Sequence, residues 1–484
     1  MPRLLFFLLL ACLHGGSAAL SGCAPQDAYR YDTTRAQVAI PGPTPTADIP
    51  PSAAGPPRDL TLADVLQIAQ TNNPDLIMAA ARIAQAQAML EKTAAPFYPQ
   101  VTVYTEYLQG DAPSAYFTKS IDQRLLPPQI DFNQPGWFEN YESGVSAGLN
   151  LYSGGRDRLN RQMAQSGLKI SQLDRDDIEN QIMATAIGAY YDMLAAADFT
   201  TVAQASVEMT RTQLRVMQVR FEAGGALKTD LLSLQVRTAE SEEMLLQSRN
   251  RQRLAQAALA EILGFEPGVP FTVINPQGQN LEVPTDPVAA LDYALAHRPD
   301  LAGVREAVRR SKMALDAAQA GYRPRVDFLT RYYVADPSMK YSIDRDNWTA
   351  GLYLNWTIFD GFATKNDRAA ALSFLLEAMA ADRKTLLAVQ FDVTKAFLNL
   401  DEAQERVTVA ASGAQTARET YELVKRQYEG GAATITRYLE AELANTRARM
   451  RESAAYFDRE KARAQIARAI GYWTSGAQIG AREE

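Results

Sequence analysis

Two periodicities alternate along the chain. Over 347–359, Trp348, Ala350, Leu352, Leu354, Trp356 and Ile358 fall on one face, and Thr349, Gly351, Tyr353, Asn355 and Thr357 on the other. Over 142–152, Val145, Ala147, Leu149 and Leu151, with Tyr141 just before, oppose Glu142, Gly144, Ser146, Gly148 and Asn150. A period of two over about ten residues predicts β-strands. Two more fall at 100–108 and 325–335. In the latter, Val326, Phe328, Thr330, Tyr332 and Val334 oppose Asp327, Leu329, Arg331 and Tyr333, so one face carries charge. Apolar faces with aromatic ends suit strands crossing an outer membrane. A soluble sandwich with one buried face suits the strands equally well.

The second period is helical. Residues 155–222 contain no Pro, and Leu159, Met163, Ile170 and Leu173 recur at spacings of three, four or seven. About 68 residues at about 1.5 Å each give a rod of roughly 100 Å. Helices are also predicted at 60–70, 74–94, 229–263, 287–296, 299–320, 364–428 and 434–470. The segments 74–94 and 229–263, stacked end to end, nearly match the long helix. Pro74 and Pro299 begin helices, where no amide donor is needed. The chain reverses at Gly224-Gly225 and at Gly430-Gly431.

These elements come in two collinear sets. Asn73-Pro74-Asp75-Leu76 returns as Arg298-Pro299-Asp300-Leu301, and Phe221-Glu222-Ala223-Gly224 as Tyr428-Glu429-Gly430-Gly431. Such self-similarity implies a duplicated helix-strand-strand-helix architecture. Its boundaries fall at 59–264 for the first repeat, 265–286 for a Gly/Pro-rich linker and 287–472 for the second repeat, with a tail at 473–484. Four strands cannot close a barrel, since the smallest membrane barrels have about eight. An open edge in lipid costs several kcal/mol per unpaired group. Strands that span a membrane therefore have to be pooled between copies of the chain.

Composition narrows the chemistry. The net charge of −7 argues against a nucleic-acid partner. The only cysteines are Cys12 and Cys23, and the only histidines His14 and His297. A catalytic triad or a zinc site is thus poorly supplied, and no isolated acidic pair suggests a hydrolase, so neither an enzyme nor a cofactor or metal is expected. Residues 1–22 read as a signal peptide: Arg3, then an apolar run from Leu4 to Leu13 too short to span a bilayer, then small residues. Leu20-Ser21-Gly22-Cys23 resembles a bacterial lipobox, which implies a covalent lipid on Cys23. Ala24 after it points to the outer membrane, and 23–58 is a Pro-rich tether.

The order of elements, the duplication and the junctions Leu151-Tyr152-Ser153-Gly154-Gly155-Arg156 and Ile358-Phe359-Asp360-Gly361-Phe362 resemble the TolC-like outer-membrane factor family, in its lipoprotein branch. The resemblance covers 60–471. It implies a mainly α homotrimer with a 12-stranded β-barrel continued by a long α-helical barrel. It also implies a periplasmic adaptor and an inner-membrane pump as partners, and drugs, metal ions or polypeptides as cargo. The competing reading is a periplasmic coiled-coil lipoprotein that spaces its partners without forming a pore.

The family shuts its tunnel with polar contacts between helix tips. Thr229, Asp230 and Tyr428 match that pattern, while the family's Arg position is Ala433 here. Arg437, one turn further on, is the expected substitute partner of Asp230. Glu440 matches one of the family's two constriction acids, and Arg437 occupies the place of the other, which predicts a less cation-selective ring. Plainer roles stand beside these: N-capping for Thr229 and Asp230, a solvated pair for Arg437 and Glu440, and end packing for Tyr428. Gly154, Gly155, Asp360 and Gly361 are read as strand-to-helix bends, and 109–141 as an extracellular loop.

Overall fold

The computed structural model describes residues 59–266, 269–274 and 283–473. The signal peptide, Cys23 and the tether lie outside the described residues, as does the tail beyond 473. The first repeat comprises β1 (Asp59–Leu60), α1 (Leu62–Asn72), α2 (Pro74–Lys92), β2 (Gln100–Gly110), α3 (Pro113–Asp122), β3 (Phe138–Tyr152), α4 (Arg156–Glu222) and α5 (Lys228–Ile262). The short β4 (Thr272–Val273) follows, and then the second repeat: α6 (Pro287–His297), α7 (Pro299–Gln319), β5 (Arg325–Asp336), β6 (Asp346–Asn355), α8 (Ala363–Glu429) and α9 (Ile435–Ile470).

Four departures from the sequence reading are physical. The segment read as a loop at 109–141 contains α3, which Pro113 starts at its first turn. Strand β3 begins at Phe138, four residues before the alternation does. Strand β6 stops at Asn355 rather than 359, because the Trp356 indole donates to the Tyr322 carbonyl at 3.0 Å and leaves the ladder. The inter-repeat linker is partly structured: Thr272 and Val273 pair in parallel with Asp59 and Leu60. Phe271 is buried beside them in the core of the first repeat.

Apart from the β1–β4 pair, the strands form one antiparallel sheet in the order β2-β3-β5-β6. Val103 pairs with Val145, Val145 with Tyr332, and Tyr332 with Trp348. Cross-strand partners point to the same side, so the apolar faces of all four strands coincide. The other face gathers Tyr104, Glu142, Ser146, Asn150, Asp327 and Arg331. Strands β2 and β6 each pair on one side only, so both sheet edges are open.

Each repeat builds a composite rod beside its long helix. Asn73 caps α2 by accepting from the Asp75 amide, and its Nδ2 donates to the Ile262 carbonyl at the end of α5, at 2.8 Å. In the second repeat Arg298 donates to the Ala469 carbonyl at the end of α9, at 3.2 Å. Gly264 and Gly471 make these abutments possible. Both have positive φ, and a Cβ on Gly264 would lie 2.6 Å from the Asn72 carbonyl oxygen. The rods pack on the long helices through apolar clusters around Tyr190 and Ile187 in one repeat and Val393 and Ile466 in the other.

Candidate conduit and its gate

The strand-to-helix bends sit where the sheet meets the rods. Gly154 and Gly155 have φ of 72° and 88°, Gly361 and Phe362 of 67° and 71°. Ser153 and Asp360 occupy equivalent places. The Asp157 amide donates to the Ser153 hydroxyl at 3.3 Å, and the Thr364 amide to the Asp360 carboxylate at 2.8 Å. The Arg323 guanidinium crosses between repeats to the Gly154 carbonyl at 2.8 Å.

Opposite the sheet, the long helices turn back. Gly224 and Gly431 adopt φ of 75° and 78°. The Gly225 and Ala432 amides reach back to the Arg220 and Gln427 carbonyls, both at 2.7 Å, closing the orphan carbonyls of each helix end. Gly225 and Gly430 flank these turns without positive φ of their own. The first tip lacks a side-chain cap: its cap residue is Leu227. Thr229 and Asp230 are thus the second and third helical positions, not the N-caps of the plainer reading. In the second tip Thr434 is the cap and accepts from the Arg437 amide at 3.3 Å.

Asp230 and Arg437 hold the same place in their tips, the third position of α5 and of α9. Thr229, Arg437 and Glu440 are exposed, and Asp230 is partly so. Within the single chain, no ion pair joins Asp230 to Arg437 among the described residues. Tyr428 stacks on Tyr438 with ring centroids 5.1 Å apart. Burial pushes its hydroxyl pKa up, with the nearby Arg220 charge opposing and Asp230 adding to the rise. Tyr428 packs in a cluster that also holds Ala226 and Leu231 of the first tip.

Sequence reasoning missed a buried ionic knot further along the helices. The Arg237 side chain on α5 donates through Nε and Nη2 to Glu442 on α9, at 3.0 and 2.7 Å. Ser206 on α4 and Thr446 donate to the other oxygen of Glu442, each at 2.8 Å. Both charged groups are almost fully buried. Such a pair is sensitive to loss of one partner, which strands the other charge in the interior. It ties the first hairpin to the second. Its signal was in the sequence: Arg237 interrupts the stripe Leu234, Thr238, Ser241, Leu245 at helix spacing.

The long helices differ in what they leave open. On α8, Leu372, Leu376, Met379, Leu387, Phe391 and Leu398 recur at spacings that keep them on one side, and all are exposed. Phe391 is 65% exposed.

Comparison with known proteins can be set beside this open sheet on paired rods. The model of the outer membrane efflux protein family matches residues 65–265 and 290–472. The chain belongs to that family. It is 22% identical over 416 residues to the pyoverdine export outer membrane protein OpmQ of Pseudomonas putida, covering 85% of each chain. It is 25% identical over 241 residues to the alkaline protease secretion protein AprF of Pseudomonas aeruginosa, covering 48% of this chain and 49% of that one. Among solved structures it superposes on the Campylobacter jejuni CmeC outer membrane channel with a TM-score of 0.74 at 16% identity, covering 85% of this chain and 86% of that one. The TolC-like fold of β-barrel and α-barrel expected from the junction motifs is therefore the fold of this family member.

Proposed function

We propose that three copies of the chain form a conduit through the outer membrane and periplasm, serving as the outer-membrane channel of a tripartite efflux or type I secretion system. The observation that carries this reading is the four-stranded sheet, apolar on one face, charged on the other and unpaired at both edges. Three such sheets give twelve strands, each long enough for a tilted crossing of the hydrocarbon core. Pairing β6 of one protomer with β2 of the next removes every open edge. The exposed side of α8 then packs against a neighbouring protomer.

The partners on this reading are a periplasmic adaptor and an inner-membrane pump, with a lipid on Cys23 anchoring each chain to the outer membrane. The cargo is a small molecule. The export of pyoverdine by one relative favours this, and the secretion role of another keeps a polypeptide as the second reading.

The periplasmic end is closed by the tips. Around a threefold axis the two kinds of tip alternate, so the third helical position presents Asp230 and Arg437 in turn. Each Asp230 then meets an Arg437 of a neighbouring tip, a pair not formed among the described residues of the single chain. Thr229 and Tyr428 flank the contact, and Glu440 adds an acid to the ring one turn further in. Ionic strength should loosen these exposed pairs. The test is conductance of the purified channel in a planar bilayer. Asp230→Ala and Arg437→Ala should each raise it several-fold, and the double variant should add little. Unchanged conductance in both would remove the latch, and a protein that forms no channel would remove the conduit.

A further inference from the structure

We propose that α3 and its loop form a lid over the outer mouth of the conduit, making a second closure at the opposite end from the helix tips. The inference rests on the conduit reading and goes beyond it. The segment 111–137 joins β2 to β3 at the sheet end away from the long helices, the end that faces outward if the strands cross the membrane. Such a loop could stand clear of the mouth. It folds back instead: the strand side chains that anchor α3 lie on the charged face of the sheet, and just beyond α3 the Arg124 guanidinium donates to the Asp346 carbonyl at 3.2 Å.

Lys119 on α3 pairs with Glu142 at 2.7 Å. Gln123 donates to Asn140 Oδ1 at 2.9 Å and to the Glu139 carbonyl at 2.8 Å. The Tyr333 hydroxyl donates to the Asp122 carboxylate at 3.3 Å, and Asn347 to the Asp122 carbonyl at 3.0 Å. Asn140, Glu142, Tyr333 and Asn347 occupy one face by ladder register, the face that lines the lumen of a closed barrel. Nothing in α3 binds the lipid side. The helix therefore occupies space that cargo has to cross. The second repeat has no such cover: its loop, 337–345, is short and tied to Asp336 by the Ser338 and Lys340 amides.

The anchor is built to be broken. Glu142 is almost fully buried and is shared by Lys119, Arg331 at 3.0 Å and the Tyr104 hydroxyl at 2.8 Å. When Lys119 leaves, Arg331 and Tyr104 still hold Oε1, so the carboxylate keeps a cationic partner while Oε2, which only Lys119 engaged, is uncovered to water. Asn140 Nδ2 is buried without a partner, so the closed lid also denies one donor its water. Both features lower the cost of opening.

The test is thiol labelling from outside intact cells expressing the full-length chain. Thr102→Cys lies on the charged face, deeper than the lid, and Val103→Cys lies on the apolar face beside it. A small membrane-impermeant maleimide should label position 102 and spare position 103. A polymer-coupled maleimide should label position 102 slowly, and about tenfold or more faster once Lys119→Met or Gln123→Ala is added, as an opening equilibrium shifts by a factor of that order. The two variants break different contacts, and Gln123→Ala leaves the Glu142 network intact. Equal polymer labelling with and without both variants would overturn the lid. Small-reagent labelling at 103 but not at 102 would overturn the conduit reading and the lid with it.

Discussion

The helices α4 and α8 are products of one duplication and are the same length, 67 residues each. They face different surroundings. The first packs against α1, α2, α5, α7 and α9 and buries a run that includes Met183, Ile187, Tyr190, Leu194 and Val207. The second packs against α6, α7 and α9 and leaves Leu387, Phe391 and Leu398 in the open. Where α8 carries Leu372 and Leu376, α4 carries Gln165 and Lys169. The first helix has been sequestered inside the protomer, while the second keeps an apolar side for a partner. Burying such a side chain is worth roughly 1.5–3 kcal/mol, so a neighbouring protomer that covers the row, as proposed, gains that much at each position.

The largest effect that would sharpen this contrast lies in the core. Tyr190 is fully buried, and Tyr190→Ala should cost about 3–5 kcal/mol. Chemical denaturation of the purified protein reads the loss. The same truncation at Phe391 should leave protomer unfolding nearly unchanged and act on assembly alone. Equal costs at the two sites would erase the distinction between a core helix and an interface helix.

A smaller effect separates the two tips. Thr434→Ala should weaken the second tip by about 1 kcal/mol, since Thr434 is a working cap, and Leu227→Ser should strengthen the first by a similar amount. Hydrogen exchange at the first turns of α9 and α5 measures both. No change at either site would mean that tip order comes from packing around Tyr438 rather than from the caps.

The smallest effect is a pH dependence where the repeats meet. Burial raises the Asp177 pKa, the neighbouring Asp300 adds to the rise, and Arg298 and Arg468 oppose it. A carboxyl raised in the folded state favours folding below its unfolded pKa of about 3.9, and that benefit is lost as pH rises through the folded value. Asp177→Asn should therefore raise the melting temperature at neutral pH and gain nothing in acid. In the second repeat Glu306 behaves oppositely. Burial pushes it up, but Ser166, Arg309 and Lys169 together hold it below the usual range. Its contribution is present at neutral pH and lost on acidification through its folded value.

Much of this architecture was legible from alternation and duplication. The period of two marked the strands, and ladder register brought the apolar residues of all four to one side. The proline starts and glycine turns fell within a residue or two of the helix ends, because those residues act through their own backbone. The end of β6 was not legible, because the bond from Trp356 to Tyr322 depends on where the second repeat folds back. Nor was α3, since several prolines around a ten-residue helix look like a loop. Thr229, Asp230, Tyr428, Arg437 and Glu440 were proposed for the gate from sequence matching, and the structure puts all five on the helix tips. The equivalence of Asp230 and Arg437 follows from the repeat offset that pairs Phe221 with Tyr428, and numbering both tips from their caps agrees with it. Arg237 stood out in its stripe, but its pairing with Glu442 was not legible because the partners lie 205 residues apart.

The central claim is that one chain is a third of a wall. The most direct measurement is the native mass of the particle extracted in detergent, compared with that of Leu387→Asp/Phe391→Asp. The account predicts three chains in the wild-type particle and dissociated, still helical protomers in the variant. A wild-type particle of one chain, stable and monodisperse, would contradict it.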